Sequence, residues 1–375
     1  MSGIYIHIPF CKQACHYCDF HFSTSLKNKN DLIKSILTEI DLRMEYLPDK
    51  SIETIYFGGG TPSLLDEKDI FLILEKLYKN YQVSKNAEIT LECNPDDLNN
   101  EKLKALKRLE INRLSIGLQS FLEEELIWMN RAHNAQESES SVKRAQDKGF
   151  ENITIDLIYG SKFSTLTNWK KTLDTAIALD IKHISSYNLT IEDKTKLGHD
   201  FKTKKETAID DEKSSEMFLE MIDRLEKNQF IHYEISNFGK EGFFSTHNSN
   251  YWKGAYYIGY GPSAHSFDGV SRQWNISNNP TYIKCMNEKN ETYFEKEILT
   301  EKERFNEYIL TALRTIWGVD LNYLNSHFNN DFTKLFLKQI TQYIEKEQVT
   351  VQDENYTLTE KGKLLADKIA SDLFV

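Results

Sequence analysis

Three cysteines fall within eight residues near the start of the chain, in Tyr5-Ile-His-Ile-Pro-Phe-Cys11-Lys-Gln-Ala-Cys15-His-Tyr-Cys18. Thiolates spaced C-x3-C-x2-C can wrap one corner of a cubane iron–sulfur cluster. Such clusters are usually held by four cysteines, so three leave one iron open to a ligand from elsewhere. An open iron at the end of a strand is what binding and reductive cleavage of S-adenosylmethionine requires. Two blander readings stand beside this one. Zinc could take cysteines at C-x2-C with His16 or His21 as further partners, and the thiols could be structural or form a redox disulfide. A three-cysteine run between a strand and a polar loop is more specific than a lone C-x2-C, and it favours the cluster.

Further groups of the right chemistry recur down the chain. Gly58-Gly-Gly-Thr-Pro62 follows an apolar run, and its glycines can bring backbone amides against a ligand such as the amino acid end of S-adenosylmethionine. Glu92 closes another such run and could hydrogen-bond a ribose hydroxyl. Arg131, close after Gln119, could fork onto a carboxylate through two parallel donors. Asp156 sits inside Ile153-Thr-Ile-Asp-Leu-Ile-Tyr159, where a lone buried carboxylate would be costly, so it should be paired or bound to a ligand. The competing role for each is a tight turn or an ordinary surface pairing. His7 and His183 alternate with apolar residues and read as core or site-lining, whereas Cys93 and Cys285 read as buried thiols.

These residues need elements to hold them, and the periodicity supplies six strands, each followed by a helix. The strands are Ile4–Ile8, Glu53–Phe57, Glu88–Glu92, Arg113–Gly117, Asn152–Leu157 and Lys182–Tyr187. Helical patterns run from Asp31 to about Tyr46, then over Asp66–Asn80, Asn100–Leu109, Glu123–Met129, Ala135–Lys148 and Leu166–Leu179. Repeated strand–helix units imply a parallel sheet with right-handed crossovers. Six are too few for a closed eight-strand barrel, so the fold class is α/β, a partial (β/α)6 barrel. The cysteines, Gly58–Thr61, Glu92, Gln119, Asp156 and Tyr187–Thr190 all fall at carboxyl ends of strands, the catalytic face of barrels. A helical pattern over Glu206–Asn228 closes a first domain, 1–228. An aromatic- and glycine-rich connector, 229–299, follows. Residues 300–375 read as helix (Thr300–Trp317), helix (Phe332–Glu347), hairpin (Val349–Thr359) and last helix (Glu360 to about Leu373), a winged-helix-like α+β domain.

The chain is 375 residues long, 40% hydrophobic and 27% charged, the balance of a soluble globular protein. No apolar run is long enough to span a membrane, and no basic-then-apolar leader opens the chain. Five cysteines, three of them clustered, suit a reducing cytoplasm. A formal charge of −11 argues against broad nucleic-acid affinity, which leaves the winged-helix-like domain a packing or protein-contact role.

Tyr5-Ile-His-Ile-Pro-Phe-Cys11, the C-x3-C-x2-C, GGGTP, Ile116-Gly-Leu-Gln-Ser120 and Asp156-Leu-Ile-Tyr-Gly160 together resemble the coproporphyrinogen-dehydrogenase-like radical S-adenosylmethionine family, over most of the chain and in the expected order. The resemblance implies that Cys11, Cys15 and Cys18 ligate a [4Fe-4S] cluster. It implies that Tyr5, Tyr17, Gly59, Gly60, Thr61, Glu92, Gln119, Arg131 and Asp156 contact S-adenosylmethionine. The dehydrogenase branch oxidatively decarboxylates coproporphyrinogen III. It usually carries a fourth cysteine where this chain has Phe20, and an N-terminal extension where this chain has almost none. The haem chaperone branch matches on both counts and carries H-N-x-x-Y-W, here His247-Asn248-Ser249-Asn250-Tyr251-Trp252. Imidazole is a common axial ligand of haem iron, and Tyr251 and Trp252 offer flat apolar area, so His247, Asn248, Tyr251 and Trp252 are the haem-binding candidates, with His265 and His232 behind them. The expectation is a cytoplasmic haem chaperone with haem as cargo and haem-dependent proteins such as respiratory enzymes as partners. It would work at the membrane surface where a recipient lies there, with a homodimer allowed. Coproporphyrinogen III dehydrogenase activity is the alternative.

Overall fold

The computed structural model describes residues 2–205, 210–290 and 292–375. Its framework is the six expected strands: β1 (Ser2–Ile8), β2 (Ser51–Gly59), β3 (Gln82–Cys93), β4 (Arg113–Gln119), β5 (Asn152–Tyr159) and β6 (His183–Asn188). They lie side by side in sequence order, all parallel. Side chains alternate across a strand, and that alternation divides the sheet. Ile4, Ile6, Ile8, Ile55, Phe57, Leu91, Leu114, Ile116, Ile155 and Ile184 are fully buried under the helices outside. The other parity (Tyr5 and His7, Thr54 and Tyr56, Glu92, Ser115, Asp156, Tyr187) points into the barrel, where it lines two cavities. Apolar-out and polar-in is what a water-filled site inside a half barrel demands.

The expected connector is part of the same sheet. β7 (Ile231–Glu234) and β8 (Asn237–Gly239) extend it antiparallel beyond β6. On the other edge β9 (Tyr256–Tyr260) pairs parallel with β1, and β10 (His265–Phe267), β11 (Ser271–Asn275) and β12 (Phe294–Ile298) follow antiparallel. The result among the described residues is one open twelve-stranded sheet. A buried carboxylate fastens that second edge. Glu39, on the helix Lys29–Leu42, is fully buried and accepts from Arg43 (2.9 Å), Asn275 (2.8 Å), Gly261 N (2.8 Å) and the Tyr282 hydroxyl (2.5 Å).

Residues from Thr300 on form the winged-helix-like domain, with a core of its own around Phe305, Ile309, Phe336 and Ile369. Thr300 and Glu303 make a capping box for the helix Glu301–Leu313. Helices Leu321–His327 and Asn330–Glu345 and the hairpin Val349–Gln352/Asn355–Leu358 complete it. The domain docks on β7 through Arg314, which reaches Glu234 at 2.9 Å, and through the Glu234–Thr315 bridge.

Several boundaries differ from the pattern-based ones. The first helix starts at Lys29, ahead of Asp31, with Asn28 at its N-cap position. Of the expected helix from Glu206, positions 206–209 lie outside the described residues and the remainder is Asp211–Lys227. Leu321–His327 was not anticipated, and the last helix is divided into Glu360–Lys363 and Ala366–Asp372.

Candidate functional site

The cysteine loop leaves β1 and is pinned at both sides. Cys11 N donates to Ser23 O (3.0 Å) and Ser23 N to Pro9 O (2.8 Å), closing its base. Its outer turn is sewn to the segment after β4. Gln13 Nε2 donates to Asn130 O (2.9 Å), Asn130 Nδ2 to Ala14 O (2.7 Å), and His16 N to Met129 O (3.0 Å). Cys11, Cys15 and Cys18 are free, half-buried thiols on the wall of a cavity of about 480 Å³. The partners zinc would need are engaged elsewhere: His16 Nδ1 donates to Trp128 O (2.7 Å), and His21 Nε2 bonds Asn279 Oδ1 (2.7 Å). Three unpaired thiols on one loop beside open space are the donor set for a cubane cluster with one free iron corner; Cys93, which also lines the cavity, is buried on β3 with its thiol donating to Leu91 O (3.4 Å).

The same cavity gathers Tyr17, Gly59, Gly60, Thr61, Glu92, Gln119, Arg131 and Asp156 from five different strand ends and loops. Tyr5 lies in the larger neighbouring cavity. The glycines act differently from expectation. Gly59 N donates to Glu92 Oε2 (3.1 Å), Gly60 N to Ile8 O and Thr61 N to Phe10 O, so those amides are committed within the protein. Their value is closeness. A Cβ on Gly60 would meet the Phe10 backbone at 2.7 Å, and Gly59 combines φ +108° with the His7 ring 2.7 Å from where its Cβ would be. Arg131 is likewise held before any ligand arrives: its Nη2 donates to Asn94 Oδ1 (2.8 Å) and Gly117 O (2.7 Å), and its Nη1 to Cys15 Sγ (3.3 Å). Gln119 holds φ +64°, a left-handed conformation unusual outside glycine, of the kind that clusters at functional sites.

Two carboxyls face this cavity with raised pKa. Burial pushes Glu92 up to about 8 against the pull of the Tyr56 hydroxyl (2.8 Å) and Gly59 N, with Asp156 adding repulsion. Burial also pushes Asp156 up to about 6, opposed by hydrogen bonds from Ser115 and Ser185. A hydroxyl-bearing ligand that donates to them would favour their ionised forms.

The second cavity, about 1020 Å³, opens on the other side of Asp19, Phe20, Glu92 and Tyr187, which line both spaces. Phe20 is 67% exposed. The helix Thr246–Trp252 forms part of the wall, contributing His247, Asn248, Tyr251 and Trp252. Glu88 holds its start through Thr246 N and His247 N, each at 2.9 Å. The His247 ring stacks on Tyr56 (4.9 Å between centroids), and its Nδ1 lies 2.9 Å from Thr54 Oγ1. Burial lowers His247 to about 4, so its imidazole is neutral at pH 7, as a metal ligand must be. His265 and His7 also line this space. His232 does not: it stacks on Phe238 and bonds Ile235 O. His183 is buried between Thr154 and the Tyr233 hydroxyl. Tyr56, Asn94, Ser115 and Thr54 were not singled out from the sequence. Tyr56, Ser115 and Thr54 share the inward parity of their strands, which is the signal that could have found them.

Comparison with known proteins places the chain. Residues 5–176 match the profile of the Radical SAM superfamily, and residues 299–365 that of the HemN C-terminal domain. The heme chaperone HemW of Bacillus subtilis is 32% identical over 98% of each chain. That of Lactococcus lactis is 32% identical over 98% of this chain and 96% of its own. That of Escherichia coli is 35% identical over 70% of this chain and 69% of its own. The solved structure of coproporphyrinogen III oxidase (HemN) from Escherichia coli superposes with a TM-score of 0.84, covering 100% of this chain and 90% of that one at 21% identity, a likeness of fold.

Proposed function

The chain belongs to the HemW branch of the radical S-adenosylmethionine superfamily, and from that membership we propose that it binds haem in the 1020 Å³ cavity and passes it to haem-requiring proteins such as respiratory enzymes. The observation that carries the reading is the H-N-x-x-Y-W helix on the wall of a large cavity, with His247 neutral and oriented. Ligating histidines commonly fix one ring nitrogen on a neighbour and offer the other to the metal. With Nδ1 on Thr54, Nε2 of His247 is the one offered. Tyr251 and Trp252 give the macrocycle flat apolar surface, and Lys194, on the same wall, supplies charge for a propionate. The cavity volume is at the upper end of ordinary ligand sites.

The smaller cavity is assigned to the cluster and S-adenosylmethionine. Cys11, Cys15 and Cys18 would hold a [4Fe-4S] cluster, which supplies low-potential electrons and one iron open to the amino acid end of S-adenosylmethionine. The chain's own residues do the rest. Arg131, held by Asn94 and Gly117, presents a fixed positive charge to the carboxylate and steadies the Cys15 sulfur. Glu92 takes the ribose hydroxyls, and Gly59–Thr61 keep the wall thin enough for the ligand to approach. Asp156, Gln119 and Tyr17 complete the lining. Phe20, between the two cavities, shields one from the other. Among the described residues no helix is long and apolar enough to cross a membrane.

Anaerobic incubation of cluster-loaded protein with S-adenosylmethionine, a reductant and coproporphyrinogen III tests this against the dehydrogenase reading. The account predicts no protoporphyrinogen IX. Porphyrin product in step with 5′-deoxyadenosine would overturn it.

A further inference from the structure

A third space, about 410 Å³, lies on the far side of the large cavity, between β9–β11 and the C-terminal helices Glu301–Leu313 and Leu321–His327. Tyr251, Tyr256, Tyr257 and Arg272 line both, so the two share a wall. Across the groove stand the stacked rings of Tyr323 and His327, 4.0 Å between centroids, with Tyr308 at 4.5 Å from Tyr323. His327 is exposed, and its Nδ1 lies 3.1 Å from Tyr323 O. The Ser326 hydroxyl, 2.9 Å from the same nitrogen, gives its own proton to Asn322 O (2.7 Å), so both neighbours of Nδ1 accept, Nδ1 carries the proton and the lone pair resides on Nε2. No hydrogen bond occupies that Nε2 among the described residues. It is the arrangement of a histidine prepared to ligate a metal.

The charge in the groove is also suited to one class of occupant. The Arg304 guanidinium makes no hydrogen bond or ion pair among the described residues, and its Nε is buried without a partner. The groove's two acids are engaged. Glu307 pairs with Arg272 at 2.6 Å, and Asp268 accepts from Val270 N (3.0 Å), Ser271 N (2.6 Å) and Ser271 Oγ (2.6 Å). What remains on offer is a free cation, flat aromatic walls and one unused imidazole nitrogen.

We propose that this groove is a second haem site, occupied by cargo on its way out of the large cavity, with His327 Nε2 as axial ligand and Arg304 as the partner of a propionate. The inference rests on the haem reading of the larger cavity. The groove is open, so it would cover part of the macrocycle and leave an edge free for a recipient.

The test is a haem titration of the full-length, anaerobic, cluster-reconstituted protein, followed by the Soret band, for the unaltered chain and for His247→Ala, His327→Ala and Arg304→Gln. Two equivalents are expected in the unaltered protein and one in each histidine variant, with distinct spectra. Arg304→Gln should weaken one site about tenfold and leave the other unchanged, as loss of a charge-assisted contact implies. His327 is exposed, so its replacement leaves the core intact. One equivalent, lost in His247→Ala and unchanged in His327→Ala, overturns the groove and keeps the cavity. One equivalent lost only in His327→Ala supports the groove and overturns the cavity. Absence of saturable binding overturns both.

Discussion

Replacing Glu92 by glutamine should change how stability depends on pH, in a direction that the site fixes. Burial lifts the Glu92 pKa from 4.5 to about 8. The folded state therefore keeps a proton that the unfolded chain gives up above about 4.5. The unfolded state binds fewer protons across that window, so stability falls as pH rises from the unfolded value to the folded one, and levels off above about 8. Each pKa unit is worth about 1.4 kcal/mol, which sets an upper bound of roughly 4–5 kcal/mol for the whole span. Water at the cavity mouth and relaxation of the pocket reduce this to about 2–3 kcal/mol between pH 5 and 8. The assay is urea unfolding of cluster-free protein, Glu92→Gln against the unaltered chain, at pH 5, 6.5 and 8. The cysteines are the same in both proteins, so the difference isolates Glu92 and its repulsion with Asp156. The stability of Glu92→Gln relative to the unaltered chain should rise by about 2–3 kcal/mol over that range. Parallel or converging curves would refute the burial argument. The same reasoning has S-adenosylmethionine, whose ribose hydroxyls favour the ionised carboxyl, binding more tightly as pH approaches 8.

Cys15→Ser should remove one of three thiolates and abolish the visible absorbance of the reconstituted cluster, measured against bound iron and sulfide. Arg131→Lys keeps a charge but cannot bridge Asn94, Gly117 and Cys15 together; calorimetry should show S-adenosylmethionine affinity reduced by about 10- to 100-fold. Thr54→Val removes the anchor of His247 Nδ1, and haem affinity should fall about fivefold with a shifted Soret band, the worth of one hydrogen bond. Glu39→Ala leaves Arg43 buried without its carboxylate; urea unfolding should show a loss of about 3–5 kcal/mol, with the effect concentrated at the β9–β11 edge in hydrogen exchange.

The inner barrel was legible because each strand of β1–β6 carries its own evidence. Ile4, Ile6 and Ile8 announce one buried face, and the opposite parity then assigns Tyr5 and His7 to the interior without any tertiary information. The edge strands β7–β12 are three to five residues long and are held by partners that no local pattern reveals, Glu39 meeting Asn275 and Tyr282 more than two hundred positions away. The motifs fixed which residues meet but not how they are spent. GGGTP promised free amides, whereas Gly59 N is spent on the Glu92 carboxyl and Gly60 N and Thr61 N on backbone carbonyls, which leaves the glycines to thin the wall. Arg131 promised a fork for a ligand, and in place it also braces Cys15. Tyr5 shares a motif with the cysteines but faces the larger cavity. The placement of His247 against Thr54 and Tyr56 joins a helix to a strand 193 positions earlier, which sequence spacing could not show.

The measurement that tests the central claim most directly is haem handover. Cluster-reconstituted protein is loaded with one equivalent of haem without oxygen and mixed with an excess of apomyoglobin, and the Soret change is followed in time. The account predicts saturable loading and complete transfer to the apoprotein, with loading lost when His247→Ala is made in a His327→Ala background while the far-UV spectrum stays unchanged. Loading and transfer indifferent to His247→Ala in the His327→Ala background, or a haem that never leaves, would contradict it.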